Sequence, residues 1–113
     1  MGLTEKTCVP CRGGVSPLAE EEAQRYLAET PGWTLAGGAS MIERRFRFKE
    51  FASAMEFARK VGELAEREGH HPDIAFGWGY CTVSFQTHKI HGLHENDFIM
   101  AAKVNALAGE GSG

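Results

Sequence analysis

The chain is short of the features that would take it out of the ordinary globular class. It has three cysteines, Cys8, Cys11 and Cys81, too few and odd in number for a disulfide framework. No apolar run approaches the roughly 18–20 residues of a membrane-spanning helix. Neither sign of charge dominates: the formal net charge is −3 and the pI about 5.9, which gives no broad electrostatic footprint for nucleic acid. No repeat with a period of about 20–50 residues occurs. The opening residues, Met1-Gly2-Leu3-Thr4-Glu5-Lys6, contain no apolar core of a signal peptide. Lys6 stands where a myristoylation pattern requires Ser or Thr. Together with the odd cysteine count, this makes a reducing, cytoplasmic compartment and no membrane association the expectation.

What is present suits one folded domain. Hydrophobic residues make up 42% and charged residues 24% of 113 residues, enough for a core without staples. Residues 1–16 show no periodicity and read as an irregular arm. Ser16 and Pro17 suit N-cap and N1 of a first helix running to about Glu29, with Glu20, Glu21 and Glu22 favouring the positive end of its dipole. Trp33 to Leu35 and Met41 to Phe48 read as strands around the Ala36-Gly37-Gly38-Ala39 turn. Lys49 to Glu68 carries Phe51, Met55, Ala58, Val61 or Gly62, and Ala65 at helical spacing, widened by Phe57 and Leu64 and closed by Gly69. Asp73 to Gly77 and Tyr80 to Thr87 read as a second pair of strands, the latter alternating Cys81, Val83 and Phe85 with Thr82, Ser84 and Gln86. A last helix spans Glu95 to Leu107, and residues 109–113 form a frayed tail. The order α-β-β-α-β-β-α predicts an α+β domain over 17–108, a four-stranded antiparallel sheet with helices packed on one face.

All five histidines, His70, His71, His88, His91 and His94, fall within 25 residues, and imidazoles titrating near neutrality suit proton transfer or metal binding. Pro72 restricts His71 to extended backbone, so His70 and His71 point in different directions. If the last strand continues through His88, that side chain shares a polar face with Thr82, Ser84 and Gln86. That face would form a floor for a polar ligand.

The spacing of Glu66, His70-His71-Pro72, Trp78, His88 and Asp97 resembles the pattern of the pterin-4a-carbinolamine dehydratases, without an insertion from 66 to 97. Pro31-Gly32-Trp33, Arg45-Phe46-Arg47-Phe48-Lys49-Glu50-Phe51, Thr87-His88 and Gly92-Leu93 extend the resemblance to roughly residues 17–107. The family's fold has the same element order. The resemblance implies a hydro-lyase that needs neither metal nor organic cofactor. It would dehydrate 4a-hydroxytetrahydropterin to quinonoid dihydropterin in tetrahydrobiopterin recycling, with a functional link to an aromatic amino acid hydroxylase. It further implies that His70 and His88 share the acid and base roles, in either order, that His71 orients the ring, and that Glu66 supports the His70-His71 segment. Pro72, Trp33, Thr87 and Asp97 are the further binding or supporting positions, with Trp33 expected beside the pocket. The chain departs from the family in placing His94 where an N-capping Ser or Thr is usual. Asp97 then stands at N3 and reads first as a helix-start residue.

Two other classes compete. His88-x2-His91-x2-His94 and Cys8-x2-Cys11 have ligand-like spacings, although the cysteine pair is only half of a zinc site, and a thioredoxin-type redox context is missing. Animal relatives in the resembled family double as dimerisation cofactors for a homeodomain transcription factor, so a binding module is the other alternative. Sheet edges in so small a domain predict a homodimer or higher homo-oligomer.

Overall fold

The computed structural model describes residues 2–9 and 15–109. Its helices are α1 (Glu20–Leu27), α2 (Phe51–Glu68) and α3 (Glu95–Leu107), and its strands are β1 (Thr34–Ala36), β2 (Met41–Arg47), β3 (Asp73–Gly77) and β4 (Tyr80–Phe85). The sheet order is β1-β2-β4-β3, and every neighbouring pair is antiparallel. Two hairpins are thus joined through α2, which carries the chain from β2 to the far edge strand β3. Alternation decides the faces. Ile42 and Phe46 of β2 and Cys81, Val83 and Phe85 of β4 are buried against the helices, while Thr82 and Ser84 lie on the opposite, half-exposed face. The α+β architecture and element order are those expected.

Four local expectations change. α1 begins at Glu20, not at Pro17. The Leu18 N–H donates to the Leu93 carbonyl at 2.8 Å, and Pro17 lies so close to Gly92 that a Cβ there would sit 2.6 Å from the proline ring. Residues 17–19 are therefore committed to pairing with the loop before α3. The helix is started instead by Glu22, whose carboxylate accepts from the Ala19 N–H at 3.1 Å. In α2 the buried stripe is Ala54, Phe57, Ala58, Val61, Leu64 and Ala65, so Phe51 and Met55 are exposed. Gly69 closes α2 in the left-handed conformation, φ 72°. Finally, β4 ends at Phe85, and His88 opens a single 3-10 turn, His88–Ile90. The N-terminal arm is not wholly irregular: Leu3–Glu5 forms another such turn, with Leu3 in the core. Of the tail 109–113, only Gly109 is among the described residues.

α3 is buried around most of its circumference, from Asn96 to Ala102 and again at Val104 and Asn105. Buried polar groups must be paired, and Asn105 is paired three ways. Its Oδ1 accepts from Trp33 Nε1 at 2.8 Å and from Arg44 at 2.9 Å, and its Nδ2 donates to the Pro31 carbonyl at 3.0 Å. Gly32, at φ 90°, completes this turn, because a Cβ there would meet the Arg44 guanidinium at 2.6 Å. The Asn105→Ala variant leaves the buried Trp33 N–H without its acceptor. It should lower stability by about 1–3 kcal/mol, read as a lower urea midpoint at unchanged slope.

Candidate active site

Three segments meet at one end of the sheet: the turn from α2 to β3, the 3-10 turn after β4 and the N-terminus of α3. Gly69 reverses the chain so that His70 and His71 leave the end of α2. The burial alternation of β4 runs on past its last ladder residue, so that Thr87 is buried and His88 exposed. Thr87 is held by an isolated bridge to Gly92. Gly69, His70, His71, Gln86, Thr87, His88 and Lys89 line a cavity of about 280 Å³. His70, His71 and His88 thus border one space. The floor differs from the expected one, because Gln86 and Thr87 supply it, whereas Thr82 and Ser84 do not line it.

Behind the cavity stands Asp97, which is fully buried. Its Oδ1 lies 2.6 Å from His70 Nε2. Its Oδ2 accepts from the Thr87 hydroxyl at 2.8 Å and from the His94 N–H at 3.0 Å. Asp97 is therefore the helix-start residue expected at N3 and also the partner of His70. An ionised carboxylate only accepts, so the ring donates to it from Nε2. The His70 ring also stacks against Phe85, with centroids 6.0 Å apart and planes within 10°. The orientation of this imidazole is fixed. His71 is held differently: its Nε2 lies 2.6 Å from Glu66 Oε2, with both side chains largely exposed. Pro72 follows, half-buried, outside the cavity lining.

Trp33 requires a correction. It is 5% exposed in the core, tied to Asn105, and does not line the cavity. Phe85 lies between it and His70, with ring centroids 5.8 Å from Trp33 and 6.0 Å from His70. The indole fills core because its N–H finds a buried acceptor. Trp78, the aromatic of the spacing pattern, is exposed at the β3–β4 turn.

His91 and His94 do not join a ligand set. His91 is exposed and ends the 3-10 turn with a left-handed backbone, φ 54°. His94 caps α3, its Nδ1 accepting from the Asn96 N–H at 3.0 Å. This makes it a better N-cap than its residue type suggests. Among the described residues no three His, Cys, Asp or Glu side chains are grouped as metal ligands. Cys11 lies outside the described residues. Burial, reinforced by the Glu68 carboxylate, pushes the Cys8 thiol up to about 11, away from the thiolate that metals and disulfide exchange require.

A larger cavity, about 740 Å³, lies between β2, the first half of α2 and the end of α3. Arginines 44, 45 and 47 and Lys60 line it beside Glu50 and Glu56. No histidine lines it, whereas three line the smaller cavity. Sequence reasoning did not foresee Asn96 and Asn105 as buried polar anchors. Their only signal was polar residues within a segment apolar on nearly every side.

The family model described as pterin 4 alpha carbinolamine dehydratase matches residues 16–107. A relative from Methylococcus capsulatus named "Putative pterin-4-alpha-carbinolamine dehydratase" is 63% identical over 108 residues, 96% of this chain and 95% of its own. One of the same name from Azoarcus sp. is 56% identical over 111 residues, 98% of this chain and 95% of its own. Among solved structures, a transcriptional coactivator/pterin dehydratase from Brucella melitensis superposes with a TM-score of 0.77 at 34% identity, covering 82% of this chain and 99% of its own. A pterin dehydratase-like protein identified as a RuBisCO assembly factor in the alpha-carboxysome superposes with a TM-score of 0.61 at 30% identity, covering 73% of this chain and 95% of its own. With its fold, its spaced histidines and these matches in agreement, the chain belongs to the pterin-4-alpha-carbinolamine dehydratase family.

Proposed function

We propose that the protein is a hydro-lyase that dehydrates 4a-hydroxytetrahydropterin to quinonoid dihydropterin. The observation that carries the reading is His70, locked through Nε2 to the buried Asp97 on the wall of a cavity it shares with His71 and His88. The elimination needs two proton movements. One proton goes to the departing 4a-hydroxyl, the C4a–O bond breaks, and water leaves. The other is removed from a ring nitrogen, whose electron pair forms the new C=N bond. His70 takes the ring proton on Nδ1, and Asp97 stabilises the imidazolium that results. His88, exposed at the cavity mouth, delivers the other proton and exchanges it with solvent. His71, steadied by Glu66, holds the bicyclic ring. Thr87 serves Asp97 rather than the substrate, and Pro72 sets the extended course of the chain after His71.

The same reading places the reaction in tetrahydrobiopterin recycling in the cytoplasm, downstream of a pterin-dependent aromatic amino acid hydroxylase. No metal or organic cofactor takes part, since two imidazoles supply both proton movements. The chain is also proposed to act as a homo-oligomer. β1 and β3 are sheet edges, and Phe51, Met55, Phe76 and Trp78 are exposed, the first and third with ring centroids 5.6 Å apart.

The decisive experiment follows dehydration of freshly generated 4a-hydroxytetrahydropterin with and without the protein. No acceleration by the folded protein would sink the reading. In steady-state kinetics, His70→Ala and His88→Ala should each lower kcat on the order of 10²-fold, whereas His71→Ala should mainly raise KM. A loss as large in His91→Ala would point to a different set of histidines. Chelation should leave turnover intact, and activity that vanished with a chelator and returned with zinc would favour the metal reading instead.

Asp97→Asn separates positioning from bulk. Whichever way its amide turns, an N–H donor faces His70, Thr87 or the His94 N–H. Turnover should fall on the order of 10²-fold or more, and stability by about 1–3 kcal/mol. His94→Ala removes only the Nδ1 cap, so it should cost about 1 kcal/mol of stability and leave kcat near its starting value. Chemical denaturation beside kinetics checks both.

A further inference from the structure

The arm preceding α1 is packed where the proposed chemistry has no use for it. The family match begins at residue 16, so the arm is an addition to the matched region. Leu3 is buried in the core, and Lys103 of α3 donates to the Thr4 carbonyl at 2.9 Å. Further along, the Cys8 N–H donates to Glu68 Oε1 at 3.1 Å. Both backbone polar groups of Val9 are gripped by Asn96. Its N–H donates to Oδ1 at 3.1 Å, and its carbonyl accepts from Nδ2 at 2.8 Å. The Asn96 side chain, 1% exposed, thus pairs with the arm as a neighbouring strand would.

The positions of these two anchors matter. Glu68 is the last residue of α2, two before His70, and Asn96 immediately precedes Asp97. The arm therefore spans the two helix ends that supply the two halves of the 2.6 Å His70–Asp97 contact. Neither Cys8 nor Val9 lines the cavity. Such a contact survives only small displacements before the hydrogen bond is lost, and misplacing a catalytic group by about 1 Å can cost as much as 10²-fold in rate.

We propose that residues 3–9 act as a clamp that fixes the end of α2 against the start of α3 and so holds His70 on Asp97, with Glu68 and Asn96 as positioning residues. The effect on turnover rests on the dehydratase reading, whereas the clamp itself does not. Cys8 contributes as a neutral, half-buried anchor, its Sγ 3.8 Å from the Asn96 carbonyl oxygen.

The test uses the full chain with Glu68→Ala, Asn96→Ala, the conservative Glu68→Gln and, as control, Arg59→Ala. That control removes exposed ion pairs to Glu56 and Glu63 within α2 and touches neither the arm nor α3. Two readouts are taken on folded protein: the His70 Nε2–H proton resonance, which the Asp97 bond shields from solvent exchange, and kcat with KM for 4a-hydroxytetrahydropterin. Glu68→Ala and Asn96→Ala should broaden or abolish the resonance and lower kcat about tenfold, with KM within about twofold of the intact protein. Glu68→Gln keeps an oxygen for the Cys8 N–H and should restore both readouts, and Arg59→Ala should change neither. An unaltered resonance and kcat in Glu68→Ala would overturn the clamp, even if melting temperature fell, because the arm would then be only a structural brace. Should Asn96→Ala fail to fold, the two Glu68 variants decide the matter. A resonance that responds while the intact chain dehydrates no pterin would uphold the clamp and remove the dehydratase reading.

Discussion

The structure depends most on a buried carboxylate that has to be satisfied. Asp97 is wholly removed from solvent, and an unpaired charge there would cost several kcal/mol. Its three partners come from three places: His70 after α2, Thr87 after β4 and the backbone of His94 before α3. Satisfying one side chain therefore closes three loops on one another. The geometry of the site is a by-product of that requirement. The imidazole that completes the set cannot turn away without leaving a charge unpaired in the interior.

The same logic recurs along α3. Asn96, Asp97 and Asn105 are its buried polar residues, and each reaches outside the helix: to the arm, to the site and to the turn before β1. Between them, Phe98 to Ala102 pack into the core. An entirely apolar helix would hold the core together as well but would not specify what docks where. The polar residues give α3 its register against three surrounding segments, and the end that meets His70 is one of these registers.

Much of this was legible in the sequence. The β2 and β4 alternations, Gly69 as a helix stop and the bounds of α3 all follow from local pattern. The phase of α2 was harder, because Phe51 and Met55 extend the apolar arc beyond the buried face, and periodicity does not say which edge of a wide stripe meets the sheet. The start of α1 was missed because Ser16-Pro17 is a good local cap. The competing pairing of Leu18 with Leu93 is 75 positions away in sequence. That His70, His71 and His88 share one cavity was readable from spacing and resemblance. Asp97 was readable as a cap but not as the partner of His70, since that pairing needs the ends of two helices to meet. Trp33 was misplaced for the opposite reason: adjacency to a strand says nothing about which buried acceptor its N–H will find.

The three histidines differ in how firmly they are held, and the proposed chemistry asks for that difference. His70 is mostly buried, stacked and tied to a carboxylate, which suits a base that must present one lone pair in one direction. His71 is exposed and tied only to an exposed glutamate, and His88 is exposed on a turn. An acid that must be reprotonated after each turnover needs solvent, and a group that grips a ring while substrate enters and water leaves needs room to yield. A fully enclosed pocket would orient all three rings equally well but would slow that exchange. The open cavity, with one imidazole anchored and two less tightly held, reconciles orientation with access, and the anchor is the imidazole paired with the buried Asp97.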